Sequence, residues 1–188
     1  MGWRYITSRN TPICVPEDMN GRKIRILASD VNEKFFSAMG ATPFQIYYNN
    51  TAEALESRII DCQENPYTNI LDMGFYKYQE YILELQMNVS PEAFCYSKDS
   101  WKQLDENRKV ILDKSVKETT EWIYQEAEAM NEKAREELKR CGMKILIPGL
   151  NDIKKWKLYA QKLFQEEPYQ ELLKKIGDAK KNYEKRRI

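Results

Sequence analysis

The chain is 188 residues long, 42% apolar and 12% aromatic, which suits one ordinary domain or slightly more and excludes a disordered polymer. Thirty Lys and Arg stand against 29 Asp and Glu, a net charge of +1, so no electrostatic case arises for nucleic acid or an acidic membrane surface. Histidine is absent, which removes the commonest general base and the commonest transition-metal ligand.

Cys14, Cys62, Cys95 and Cys141 are far apart with no C-x-x-C pair, so neither a zinc site nor any other metal or cofactor is expected, and free thiols are. No stretch reaches the length of a membrane-spanning helix. Met1-Gly2-Trp3-Arg4-Tyr5 lacks the basic and apolar regions of a signal peptide, which taken literally places the product in the cytoplasm.

In chain order, Arg4 to Ser8 reads as a short strand and Pro16 to Gly21 as a single helical turn closed by glycine. Lys23 to Leu27 alternates, with Ile24 and Ile26 on one face and Arg25 on the other. Ser29 or Asp30 caps a helix carrying Phe35, Phe36 and Met39 that ends at Gly40. Thr42 to Tyr48 is the next strand, and Asn50 or Thr51 caps a helix running to Ile59. Ile59-Ile60 reads as a buried strand running into the polar stretch Asp61-Cys62-Gln63-Glu64-Asn65, with Pro66 opening a helix to Glu80. Alternation of strands and helices predicts a parallel α/β sheet, whose ligands bind beyond strand ends.

Tyr81 to Tyr96 reads as extended, and Trp101 to Arg140 as strongly helical with a break near Asp113 to Ser115. Met143 to Ile147 is a short strand, and the tail from Asn151 is helical with a break at Pro168. The terminal Lys185-Arg186-Arg187 reads as a solvated helix end that suits the helix dipole. There is no nucleophile–base pair, G-x-S-x-G elbow or P-loop, so an enzyme is not expected. Arg25 leaves the sheet on a defined side, where a guanidinium either grips a carboxylate with two parallel hydrogen bonds or sits in a surface ion pair.

Gly21-Arg22-Lys23-Ile24-Arg25-Ile26, Gly40-Ala41-Thr42-Pro43, Ala54-Leu55, Ile60-Asp61-Cys62-Gln63-Glu64-Asn65-Pro66 and Phe75-Tyr76-Lys77-Tyr78-Gln79-Glu80-Tyr81 occur in order, followed by Ser90-Pro91, Phe94, Ser97-Lys98 and Trp101. This series resembles the solute-binding proteins of tripartite ATP-independent periplasmic (TRAP) transporters over most of the chain. The resemblance implies an α/β, periplasmic-binding-protein-like lobe with a parallel-type sheet and flanking helices, then a long helix and a helical tail. It implies residues 1–98 as the second lobe of a two-lobed clamp and 99–188 as a long crossing helix, short strand and terminal helices packing on both lobes.

By the same resemblance Arg25 pairs with the carboxylate of a small organic acid, Asn65 of the Q-E-N-P element helps fix it, Arg4 supplies a second arginine near the hinge, and Tyr48 covers the ligand. Glu64 of the same element joins this ligand-binding set. The implied partners are the acid and the TRAP membrane permease subunits, and the complete protein would be periplasmic. Cys62 stands where a small residue is usual, and Asn50 and Ala52 replace an acid and a tyrosine, which leaves ligand preference open. The family's signal and first lobe would precede Gly2-Trp3-Arg4. The alternative is a non-binding remnant or interaction protein, with an exposed apolar face and a dimer through the long helix or missing-lobe face.

Overall fold

The computed structural model describes residues 2–89, 91–165 and 169–185. Ser90, the helix break at Pro168, and Arg186 and Arg187 of the basic end lie outside the described residues. Among those described, six strands form one sheet: β1 (Trp3–Ser8), β2 (Lys23–Ile26), β3 (Thr42–Gln45), β4 (Cys62–Asn65), β5 (Tyr81–Val89) and β6 (Lys144–Leu146), in the order β3-β2-β4-β1-β5-β6. The helices are α1 (Asp30–Ser37), α2 (Thr51–Glu56), α3 (Tyr67–Asp72), α4 (Lys98–Gln103), α5 (Glu106–Arg140), α6 (Leu150–Leu163) and α7 (Tyr169–Lys185).

The α/β architecture is as expected, but the sheet is mixed rather than wholly parallel. β2 pairs in parallel with β3 and β4, and β5 with β6, whereas β1 runs antiparallel to both its neighbours. Strand–helix alternation predicts parallel pairing only for strands joined by crossovers. β1 enters before the first crossover, so its direction is free of that constraint. Pro43 sits on edge strand β3, where its missing N–H interrupts no ladder.

Alternate residues of the strands feed two cores, one on each sheet face. Ile6, Ile24, Ile26, Leu83 and Leu85 meet Phe35 and Phe36 of α1 and Trp156 of α6. Tyr5 and Ile82 meet Leu55 of α2, Tyr67 and Ile70 of α3, and Ala134 and Leu138 of α5. Trp156 also donates its indole N–H to Cys14 O at 3.1 Å, pinning α6 to the loop after β1.

Three element expectations are corrected. The expected strand at Ile59-Ile60 begins at Cys62, because both amides turn back to Ala54 O (3.0 and 3.3 Å) to close α2, whose exit passes through Arg58 at φ +60°. The expected helix from Pro66 to Glu80 is split at Gly74, where φ of +65° ends one turn system and a separate 3-10 turn, Phe75–Lys77, follows. The expected break at Asp113 to Ser115 is absent, and α5 runs unbroken for 35 residues. The interruption falls at Leu104, just before Asp105 caps α5 by accepting the Arg108 N–H at 2.9 Å.

Candidate functional site

β2 is buried on both faces, so Arg25 is carried into the interior with no exposed surface. Its Nε donates to Ile46 O at 2.9 Å, at the exit of β3. Its terminal Nη1 and Nη2 are both buried and have no hydrogen-bond partner among the described residues. Burial pushes the Arg25 guanidinium below its ordinary pKa, nearby Glu64 counteracts this, and Arg4 adds to it.

Antiparallel pairing of β1 with β4 sets Tyr5 opposite Asn65 and Ile6 opposite Glu64, which brings Arg4 to the end of β4. Arg4 Nη2 donates to Glu64 O at 2.6 Å, Glu64 Oε1 at 3.0 Å and Asn65 Oδ1 at 3.1 Å, and its Nε donates to Glu64 Oε2. Burial pushes the Glu64 carboxyl upward, against the hydrogen bonds and charge of Arg4 that favour its anion. Two buried guanidinium groups therefore share one buried carboxylate. Glu92 adds a second carboxylate at the recess that the two arginines border.

Arg4, Arg25, Tyr48 and Asn65 line one recess of about 190 Å³, completed by Leu27, Pro66, Asn69 and Glu92. The structure thus brings four of the five expected site residues to one surface. Glu64, the fifth, lies behind it with its carboxylate engaged by Arg4. Tyr48 stands on the turn Tyr48–Asn50 with its ring edge-on to Phe75, centroids 6.2 Å apart. Burial pushes its phenol up, and a hydrogen bond with Asn69 opposes that. Arg25 is wholly interior, so the surface ion-pair reading for it is withdrawn.

Asn69 was not anticipated, although its place one turn into the helix after Pro66 was the available signal. Larger grooves of about 550 and 560 Å³ flank α5, but Arg135 in the first is already bonded to Glu84 (2.7 Å) and Glu136 (3.1 Å), and Arg140 in the second to Glu137 (3.1 Å). Among the described residues, the buried donors without a partner, Arg25 Nη1 and Nη2, belong to the small recess.

A recess with two fixed guanidinium groups and an amide, built at the end of a sheet, carries hydrogen-bond donors of the kind that suit an oxyanion. Comparison with known proteins gives a family: the sequence profile of bacterial extracellular solute-binding protein, family 7, matches residues 1–171. The chain belongs to this family. The C4-dicarboxylate-binding protein DctB of Bacillus subtilis is 36% identical over 139 residues, covering 74% of this chain and 40% of that protein. The C4-dicarboxylate-binding periplasmic protein DctP of Shewanella loihica is 34% identical over 111 residues, covering 59% of this chain and 33% of that protein.

Among solved structures, a TRAP periplasmic solute binding protein from Pseudomonas aeruginosa with bound L-malate superposes with a TM-score of 0.78 at 26% identity, covering 87% of this chain and 57% of that one. One from Chromohalobacter salexigens with bound D-glucuronate reaches a TM-score of 0.86 at 22% identity, over 95% of this chain and 60% of that one, a likeness of fold. These family 7 relatives are solute-binding receptors, not enzymes. The chain spans 40% of the length of the Bacillus relative.

Proposed function

We propose that this chain is the arginine-bearing part of an extracytoplasmic TRAP solute receptor, which grips a small organic acid and hands it to the membrane permease subunits. In this reading residues 1–98 form the second lobe, and residues 99–188 supply the crossing helix and the elements that pack on both lobes. Arg25 takes the ligand carboxylate, Arg4 and Asn65 flank it, Tyr48 covers it, and Glu64 holds Arg4 in place.

The observation that carries the reading is the pair of buried, unpartnered nitrogens of Arg25. A buried donor left unmade costs about 1–3 kcal/mol, so a fold keeps one where an incoming group completes it. A carboxylate matches two parallel guanidinium N–H groups and brings a charge opposite to that of Arg25. The names of the relatives, C4-dicarboxylate-binding proteins and a malate complex, support a carboxylate as the anchor. The rest of the enclosing clamp would come from outside residues 1–188, and its hinge closure would complete the site.

Calorimetric titration of the full-length receptor with succinate, L-malate and D-glucuronate tests this. Binding of at least one acid is expected, and Arg25→Ala should cost about 2–5 kcal/mol, thirtyfold or more in affinity. Affinity unchanged in that variant for every acid bound would sink the anchor.

A second reading, an interaction protein without ligand, rests on the exposed Val110, Ile111, Trp122, Tyr124 and Met130 of α5. It requires concentration-dependent association of the 188-residue chain by sedimentation, and a stable monomer counts against it.

A further inference from the structure

Behind Asn65 runs a buried chain of hydrogen bonds whose polarity is set at both ends. At the far end, Gln79 Nε2 donates to two backbone carbonyls, Tyr78 O at 3.0 Å and Asp61 O at 3.2 Å. Carbonyls only accept, so this atom is the amide nitrogen and Gln79 Oε1 faces inward. It therefore accepts from the Thr7 hydroxyl at 2.8 Å, which commits that hydroxyl's one proton. Thr7 Oγ1 must then accept from Gln63 Nε2 at 2.8 Å, leaving Gln63 Oε1 to accept from Asn65 Nδ2 at 2.6 Å. At the near end Arg4, which only donates, bonds Asn65 Oδ1 at 3.1 Å. Reading from either end gives the same amide orientations.

We infer that Gln79, Thr7 and Gln63 are positioning residues that hold the Asn65 amide with its second N–H offered to the recess, so that position 65 selects a ligand oxygen that accepts. Thr7, Gln63 and Gln79 are buried and do not line the recess, so they act through Asn65. The reversed chain would present Asn65 Oδ1 and repel a carboxylate. Arg4 alone fixes one corner of the amide; Gln63 fixes the other, and that second bond holds the donor in direction. This rests on the proposed acid-binding role of the recess and adds residues that no contact with a ligand would reveal.

The test uses the full-length receptor with succinate as the probe. Thr7→Ser keeps the hydroxyl and should bind within about twofold of the parent, whereas Thr7→Val should lose about tenfold. In an Asn65→Ala background Thr7→Val should have no further effect, a coupling that general loosening of the fold does not produce. Unchanged affinity in Thr7→Val, or an equal loss with and without the Asn65 amide, overturns the inference. If the parent binds none of succinate, malate or glucuronate, the proposed function fails, and the relay is read directly from the Asn65 side-chain amide by ¹⁵N NMR. One of its two protons should exchange slowly with solvent in the parent and about tenfold faster in Thr7→Val. Equal exchange in the two proteins again overturns it.

Discussion

Replacing Arg25 by Met separates the demands of folding from those of binding. The substitution removes a buried cation whose Nη1 and Nη2 have no partner among the described residues, and a flexible apolar side chain fills the space. Relief of two unmade donors is worth about 1–3 kcal/mol each. Against that stands the loss of the Nε bond to Ile46 O, about 1 kcal/mol plus the cost of the carbonyl left behind. Removing the cation also ends its desolvation, the largest of these effects, at the loss of an attraction to Glu64 that exceeds the repulsion from Arg4, and the Arg4–Glu64 pair stays bonded. The expected net is a stabilisation of about 2 kcal/mol, raising the thermal midpoint by about 4–8 °C for a chain of this size. Urea and thermal unfolding of the 188-residue chain, followed by circular dichroism, reads this directly. A destabilisation of about 1 kcal/mol or more would show that the guanidinium is satisfied within the chain, and the case for a ligand-completed arginine would collapse.

Other consequences follow from single features. Burial alone would raise the Glu84 carboxyl, but hydrogen bonds from Arg135 and Tyr67 outweigh it and the folded pKa lies below the ordinary value. A depressed carboxylate contributes stability above its unfolded pKa and loses it as pH falls through the folded value. The stability gap between the parent and Glu84→Gln should therefore shrink below about pH 4, and a gap constant from pH 7 to 3 would refute it. Gly40 has φ of +78° and an added Cβ would strike the Asn20 side chain, so Gly40→Ala should cost about 1–3 kcal/mol in urea unfolding; no loss would refute the strain. Exposed Cys95 and Cys141 should react with a thiol reagent in the folded chain, whereas Cys62, buried and pushed up to about 12, should react only on unfolding. Rapid labelling of Cys62 in the native chain would contradict its burial.

Much of this fold is legible because its signals are local. Ser29 before α1, glycine at positions 21 and 40 and the alternation at Lys23 to Ile26 each act within a few residues, and the structure follows them. β4 is different. Cys62-Gln63-Glu64-Asn65 carries no apolar pattern, yet all four are buried, because Thr7 and Arg4 on the neighbouring strand satisfy Gln63, Glu64 and Asn65. Those partners lie 56 to 61 residues away, so strand periodicity points to Ile59-Ile60 instead. Likewise the side of the sheet taken by Arg25 can be read from alternation, but its complete burial depends on β3 and β4 closing over it. The continuity of α5 through Asp113 to Ser115 reflects the absence there of any glycine or proline to stop it.

The most direct test of the central claim is a crystal structure of the full-length receptor with a bound acid, soaked or co-crystallised with succinate or malate. The account predicts a carboxylate in the recess, with its two oxygens within hydrogen-bond reach of Arg25 Nη1 and Nη2 and one of them accepting from Asn65 Nδ2. An acid seated elsewhere, or one that leaves both terminal nitrogens of Arg25 unpaired, would contradict it.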